Sequence, residues 1–223
     1  MAKIKMGMMM TDASGKLGGQ VFSKNRGGSY VRTKVTPINP QTTAQSFIRG
    51  VFASISSAWS SLTEAGRQSF NNFVSDYATT DVFGDIRNPS GKNLHQKLNQ
   101  NLAISGQLPI AVCVLPLPVP FANVIGAQFV NPLNVNLGYS GDLIGSKIVI
   151  WATPPLSQGT RFVKNRLRQI LSQDGFSDDT INVAPDYNNK FGAIGSGDNI
   201  FFAVRVINSN GQASPLEIVK MTV

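Results

Sequence analysis

A proline-rich stretch, Ser105–Asn123, divides the chain into two halves with different patterns of apolar residues. Proline has no backbone N–H and a fixed φ, so neither a helix nor a central strand runs easily through such a stretch. We therefore predict a stiff, extended linker over residues 105–123. A chain of 223 residues is long enough for one domain or two small ones, and the change in the pattern of apolar residues at the linker favours two.

The half before the linker has a helical pattern. Apolar residues recur at steps of three and four after Pro40 and predict a helix over Thr43–Leu62, capped by Thr42 or Thr43. Thr63 is a second candidate N-cap, for a helix reaching to about Tyr77, and Ser90 caps a third. We assign residues 41–104 to a helical domain of about three helices. The apolar positions of the first helix are Phe47, Ile48, Val51, Phe52, Ile55, Trp59 and Leu62.

The half after the linker has short strand-like runs separated by turn signals. About seven such runs in a hundred residues is the number typical of an immunoglobulin-like β-sandwich, which we predict for residues 124–223. Arg161–Leu171 also fits a helical period, and Asn208–Gly211 reads as the turn of the last hairpin. The predicted fold class is thus α+β. The strand-like runs are Ala127–Val130, Leu133–Leu137, Lys147–Ala152, Arg161–Leu171, Thr180–Ala184, Asn199–Ile207 and Leu216–Val223.

Residues 1–40 predict a basic, extended arm that contains a β-hairpin. Two strand-like runs, Gln20–Ser23 and Ser29–Val35, flank Lys24–Gly28, whose five residues favour a longer or bulged loop. The arm has little apolar material of its own. We therefore expect another subunit to cover it.

The arm also holds much of the positive charge of the chain. The net charge is +8 with a pI near 9.8, and among the first 34 residues only Asp12 is acidic. Such a segment can contact phosphates or an acidic protein surface without reading sequence, and a solvated basic face is the plainer alternative. Tyr30 could stack on a base. We predict interaction residues in the arm at Lys16, Lys24, Arg26, Tyr30, Arg32 and Lys34, and on the first helix at Arg49 and Trp59.

The inventory of reactive side chains does not favour an enzyme. His95 is the only histidine, Cys113 the only cysteine, and Glu64 and Glu217 the only glutamates. We expect His95 at the surface or in an interface and Cys113 as a small buried apolar residue. No catalytic, metal-binding or cofactor-binding set is predicted.

No membrane partner is expected either. The chain has no apolar run long enough to span a bilayer, and its opening residues, MAKIKMGMMM, lack the apolar region and cleavage site of a secretory signal. We expect the protein to stay in the compartment where it is made.

The order of motifs over about residues 7–102 resembles a group of tailed-phage and prophage virion structural proteins, of the crAss-like or Bacteroidetes phage type. The shared features are a Gly-rich basic hairpin, an Asn-Pro-x-Thr turn, a Gln-x-x-x-Arg helix, a Trp-x-x-Leu-Thr element and Pro-Ser-Gly-Lys-Asn-Leu at residues 89–94. The chain departs from the group at Phe70, where tryptophan is commoner. The turn and helix residues are Asn39, Pro40, Thr42, Gln45 and Arg49.

The resemblance implies a non-enzymatic virion protein, either an auxiliary capsid protein or a ring or connector component of the head-to-tail junction. Its partners would be other virion proteins, namely capsid, portal or ring subunits, and it would be present as a homo-oligomer or in many copies. It would be made in the host cytoplasm and reside in the virion. The alternative is a nonspecific nucleic-acid-binding protein packaged with the genome.

Overall fold

The computed structural model is a mixed α+β structure with helices and several antiparallel sheets. For residues 123–131, 134–140 and 180 it describes the backbone only. Residues 120–122 of the predicted linker, the start of the predicted strand at Leu133 and the end of the last predicted strand at Val223 lie outside the described residues. The structure describes residues 2–5, 7, 12–36, 38–119, 123–131, 134–140, 143–157, 159–175, 180–193, 195 and 197–222.

The N-terminal strands form one antiparallel sheet in the order β1-β4-β3-β2. Asn25 pairs with Gly28, so only two residues form the turn between β3 and β4, and the predicted five-residue loop is wrong. The Asn25 Oδ1 accepts a hydrogen bond from the Gly27 N–H at 2.8 Å, and Gly28 has a φ of +97°, so the side chain and the glycine together permit the tight turn. The strands are β1 (Ala2–Lys3), β2 (Gly15–Leu17), β3 (Gln20–Asn25) and β4 (Gly28–Thr33).

Three helices follow, and their N-caps are Thr42, Thr63 and Ser90 as predicted. Each cap hydroxyl accepts a hydrogen bond from a backbone N–H in the first turn, which satisfies one of the free donors there. The second helix stops at Asn72, short of the predicted Tyr77, because the backbone leaves helical geometry at Phe73. The helices are α1 (Thr43–Ser61), α2 (Glu64–Asn72) and α3 (Gly91–Ser105), and a small hairpin of β5 (Thr79–Thr80) and β6 (Ile86–Arg87) lies between α2 and α3.

Both α1 and α2 pack on α3 around an aromatic cluster. The His95 ring lies 5.4 Å from that of Trp59 and 5.0 Å from that of Phe70, measured between centroids. His95 is only 2% exposed, so the expected surface or interface position is wrong. The neighbours α1 and α2 on two sides of α3 leave the His95 side chain almost no access to solvent. Burial lowers the pKa of His95, which favours the neutral imidazole.

The C-terminal part holds two antiparallel sheets, of strand order β10-β9-β12-β13 and β11-β8-β7. Of the ambiguous run Arg161–Leu171, only the end from Arg168 is strand. The helix α4 was not predicted, because its eight residues begin at the end of a strand-like run and contain few apolar residues. The elements are β7 (Asn123–Asn131), β8 (Asn134–Ser140), β9 (Ser146–Ala152), β10 (Arg168–Asp174), β11 (Thr180–Asn182), α4 (Ala184–Phe191), β12 (Asn199–Asn208) and β13 (Glu217–Thr222).

The central strands β9 and β12 are covered on both faces. Alternate residues such as Ile150 and Phe202 join the main apolar core with Tyr187 of α4. Val149 and Ala203, on the other face, are also fully buried, and α3 lies against both strands on that side. A strand buried on both faces carries apolar residues at successive positions, which explains the continuous apolar runs of β9 and β12.

The linker segment is extended but tied along its length to its neighbours. The Ile110 N–H donates to Asn99 Oδ1 of α3 at 2.7 Å, and the Cys113 N–H donates to Ser69 Oγ of α2 at 2.9 Å. The Leu117 N–H donates to the Gln212 Oε1 at 3.1 Å. Cys113 is buried, as expected.

The buried His95 makes stability depend on pH. Its pKa is lowered in the folded state, so the unfolded chain binds more protons below the ordinary value near 6.5. We expect the free energy of unfolding to fall as the pH drops through 6.5 toward the folded pKa. Each tenfold difference in proton affinity between the folded and unfolded chain corresponds to about 1.4 kcal/mol. His95→Phe should remove this component in urea melts at pH 7.5 and 5.5.

Phe70→Leu is the matched control, because it disturbs the same aromatic cluster without removing a titrating group. It should lower stability by similar amounts at both pH values. An unchanged pH dependence in His95→Phe would contradict the assignment.

Candidate functional site

The N-terminal quarter of the chain has no core of its own. Among the described residues from Ala2 to Ser54 none is buried, and the first buried residue is Ile55 in α1. Apolar side chains are nevertheless present and exposed. They are Leu17, Val35, Ile38, Phe47, Ile48 and Phe52.

The first half of α1 presents the largest of these side chains. Phe47 is 63% exposed and Phe52 50%, and Ile48 lies between them in sequence. The whole helix contains one charged residue, Arg49, whose Nη2 donates to Asn39 Oδ1 at 2.8 Å. We call Phe47, Ile48 and Phe52 the apolar face of α1. An exposed helix with three large apolar side chains and one charge is typical of a surface that contacts another molecule.

The two predicted interaction residues on α1 have different positions. Arg49 is exposed beside the apolar face. Trp59 is half-buried in the second half of the helix, and its ring packs edge-on against Phe70 with the centroids 6.0 Å apart. Trp59 therefore contributes to the packing of α1 within the chain, whereas Arg49 remains accessible.

The strand register brings together some of the predicted cations and separates others. Lys16 lies opposite Val21, which lies opposite Arg32, so the two cations share one face of the sheet. Lys24 is paired with Ser29 on the other face, next to the Phe22 and Val31 pair. The basic residues of the arm thus do not form one continuous patch.

The remaining arm residues lie near the turn and along β4. Arg26 is exposed in the turn itself, and Lys34 follows β4, with its backbone N–H bonded to the Gly19 carbonyl at 2.8 Å. Tyr30 is half-buried between Ser23 and Lys3 on the neighbouring strands. Of the six interaction residues predicted in the arm, only Lys24 has a carboxylate partner among the described residues, Asp12 at 3.6 Å.

The N-terminal sheet is attached to the rest of the chain through Asp81, a residue that sequence reasoning missed. The Asp81 side chain is 5% exposed, and its Oδ2 accepts hydrogen bonds from Lys3 Nζ and from Arg87 Nε. Its Oδ1 accepts from the backbone N–H groups of Phe83 and Asp85. One buried carboxylate therefore joins β1 to the β5–β6 hairpin. An aspartate in a polar loop gives no signal of such a distant cation.

A second, weaker attachment surrounds this one. Lys5 pairs with Asp85 at 3.1 Å, and both side chains are more than half exposed. The Lys5 Nζ lies 5.3 Å from the ring centre of Phe83. At the β3–β4 turn, a Cβ on Gly27 would lie 2.4 Å from Arg87 Nη1, so glycine is needed there for the guanidinium to approach the turn.

The described residues include no group of three His, Cys, Asp or Glu side chains that could hold a metal ion. Within the same part of the chain, none of the helices combines the length and apolar character needed to cross a membrane. Comparisons with family models, curated proteins and solved structures find no match to this chain.

Asp81→Asn tests the attachment of the sheet. Asparagine keeps one oxygen for the two backbone donors but removes the negative charge that binds Lys3 and Arg87. We expect the free energy needed to separate β1 from β4 to fall by roughly 1–3 kcal/mol, which lies between the values for exposed and buried ion pairs. Hydrogen exchange at the amide of Ile4, which donates to the Ser29 carbonyl, measures this opening.

Asp85→Asn is the matched control, since it removes an exposed carboxylate from the same loop. It should change the free energy of opening, measured by hydrogen exchange at the Ile4 amide, by less than about 1 kcal/mol. Equal effects of the two substitutions would mean that Asp81 has no special role.

Proposed function

We propose that the protein is a non-enzymatic bacteriophage virion structural protein, an auxiliary capsid protein or a ring or connector component of the head-to-tail junction. In this proposal the N-terminal arm, residues 1–40, and α1 dock on neighbouring subunits. The observation that carries it is the exposed apolar face of α1, which follows in the chain a sheet without buried residues among those described. The motif resemblance over residues 7–102 supplies the virion context.

The apolar face has enough area to dominate the affinity for a partner. Burying three side chains that are about half exposed in the free chain contributes roughly 2–4 kcal/mol. An exposed ion pair contributes about 0–1 kcal/mol, so the cations of the sheet add less affinity. Their stronger effect is on the rate and orientation of association.

The charges indicate the chemistry of the partner. Lys16, Arg32 and Lys34 are exposed, and none has a carboxylate partner among the described residues. Arg49 adds a positive charge beside the apolar face. A complementary surface has an apolar groove bordered by acidic side chains, such as a capsid, portal or ring subunit could present.

The C-terminal part is, in this proposal, an immunoglobulin-like β-sandwich over residues 124–223 that projects or packs as an accessory module. The seven strands that the structure describes there lie in two antiparallel sheets, with the first, second and fifth in one sheet, and this arrangement supports the architecture. The fourth strand, β10, pairs with the third, whereas constant-type immunoglobulin domains have it in the other sheet. The segment 105–123 would then be the linker to the helical domain, residues 41–104.

A nonspecific nucleic-acid-binding protein packaged with the genome is the second candidate. Lys16 and Arg32 favour it, since they are exposed on one face of the sheet and have no carboxylate partner among the described residues. Positive charge alone is enough to bind backbone phosphates without reading sequence. The apolar face of α1 has no role in that alternative. We therefore give it second place.

The test is incorporation into particles. Phe47→Ser, Ile48→Ser and Phe52→Ser combined should leave the helices and the thermal melt unchanged, because these side chains are exposed. The copy number per particle, measured by quantitative mass spectrometry of purified virions, should fall by more than about tenfold, since 1.4 kcal/mol corresponds to a factor of ten.

The control is Phe162→Ser with Leu108→Ser, which removes exposed apolar side chains elsewhere. This variant should be incorporated normally. Full incorporation of the triple variant would overturn the docking role of α1. Nonspecific DNA binding that weakens with salt and is lost in Lys16→Gln with Arg32→Gln would favour the second candidate.

A further inference from the structure

A cavity of about 340 Å³ lies where α3 meets the turn between β12 and β13. This volume is near the lower end for small-molecule sites, roughly 300–1,000 Å³. The cavity joins parts of the chain that are far apart in sequence. Its polar lining consists of Tyr77, Lys97, Asn101, Arg205, Gln212 and Ser214.

Two cations line this cavity without a counter-ion. The Nε atom of Arg205 is buried and has no hydrogen-bond partner. Neither Lys97 nor Arg205 forms an ion pair within the described part of the chain, and no described carboxylate lines the cavity. The charge of neither cation is balanced within the described part of the chain, so an anion in the cavity would stabilise the site.

The other polar groups of the lining are already bonded within the chain. Asn101 Nδ2 donates to the Gly211 carbonyl, and Gln212 Oε1 accepts from Leu117 N–H and Asn208 Nδ2. Ser214 Oγ accepts from the Val206 N–H. These bonds fix the walls of the cavity, and Lys97 and Arg205 are the charged groups of the described lining that are able to bind a ligand.

Tyr77 completes the wall as a neutral phenol. Its O–H donates to the Val114 carbonyl at 3.1 Å. Burial, with smaller contributions from Cys113 and Asp76, raises the pKa of Tyr77 to about 12. The phenol therefore adds no negative charge at neutral pH.

We infer that this cavity binds a phosphate group, held by the guanidinium of Arg205 and the ammonium of Lys97. Phosphate carries a charge of about −1.5 to −2 at pH 7, which matches two cations, whereas a carboxylate would balance only one. The planar fork of arginine donates two parallel hydrogen bonds to such an anion.

A larger cleft next to this cavity bears on the source of the phosphate. It has a volume of about 710 Å³, shares Tyr77 and Lys97 with the smaller cavity, and is also lined by Arg26 and Arg87. A phosphate at the end of a nucleotide chain could enter the cavity while the rest of the molecule lies in the cleft. Free phosphate is the other source.

Isothermal titration calorimetry of the full chain with inorganic phosphate at constant ionic strength tests the inference. We expect binding that weakens by at least about tenfold in Lys97→Gln and in Arg205→Gln, because each removes a charge-assisted hydrogen bond. Lys92→Gln, on the same helix but outside the cavity, is the matched control and should bind like the wild type. Lys97 is exposed, so its variant should fold even if Arg205→Gln does not.

A second titration distinguishes the sources. An oligonucleotide with a 5′-phosphate that binds more tightly than both inorganic phosphate and the unphosphorylated oligonucleotide would identify a terminal phosphate, and preference for inorganic phosphate would identify the free ion. Either result supports the site, provided that Lys97→Gln weakens it. Acetate bound as tightly as phosphate, no binding, or equal losses in Lys92→Gln and Lys97→Gln would overturn it.

Discussion

The contact between α3 and the turn that joins β12 to β13 is the constraint on which the arrangement of the molecule depends. Gly211 lies so close to α3 that an added Cβ would be 2.4 Å from the Leu98 carbonyl oxygen, and its φ of +78° also favours glycine. The turn is bonded to the helix through Asn101. Since α1 and α2 pack on other sides of α3, this contact fixes the helices relative to the sheet.

The parts of the chain are therefore joined by two different kinds of force. Between α3 and the sheet, apolar burial on β9 and β12 acts together with hydrogen bonds to backbone carbonyls, such as Gln169 of β10 to Ile104 of α3. The N-terminal sheet is held mainly by the ion pairs of Asp81 and Asp85. Salt weakens the exposed pair of Lys5 and Asp85 more than the buried carboxylate of Asp81 and does not weaken apolar contacts, so ionic strength acts first on this outer attachment of the N-terminal sheet.

The sequence predicted those features that depend on neighbours in the chain. Thr42, Thr63 and Ser90 cap helices because a hydroxyl near the first turn needs no tertiary contact to bond there. The position of His95 depends on α1 and α2 packing on α3, which no local pattern contains. Asp81 bonds to Lys3 across 78 residues and was missed for the same reason.

For the predicted interaction residues, too, the sequence shows what depends on neighbours in the chain but not what depends on tertiary contacts. Their exposure on an arm without apolar partners could be inferred, as the positions of Lys16, Arg32 and Lys34 illustrate. Which cations share a face depends on strand register, and a two-residue turn in place of five determined that register. Trp59 packs on Phe70 within the chain, and the sequence did not reveal this because an apolar stripe on a helix does not show which of its ends is covered.

Lys3 and Asp81 are far apart in sequence, so the ribosome adds them to the chain at different times. The lysine is made first, and its partner follows 78 residues later, a delay of roughly 4–16 s at about 5–20 residues per second. Arg87, the other cation on Asp81, is made later still. The nascent chain thus presents its N-terminal strands before their anchor within the same chain exists.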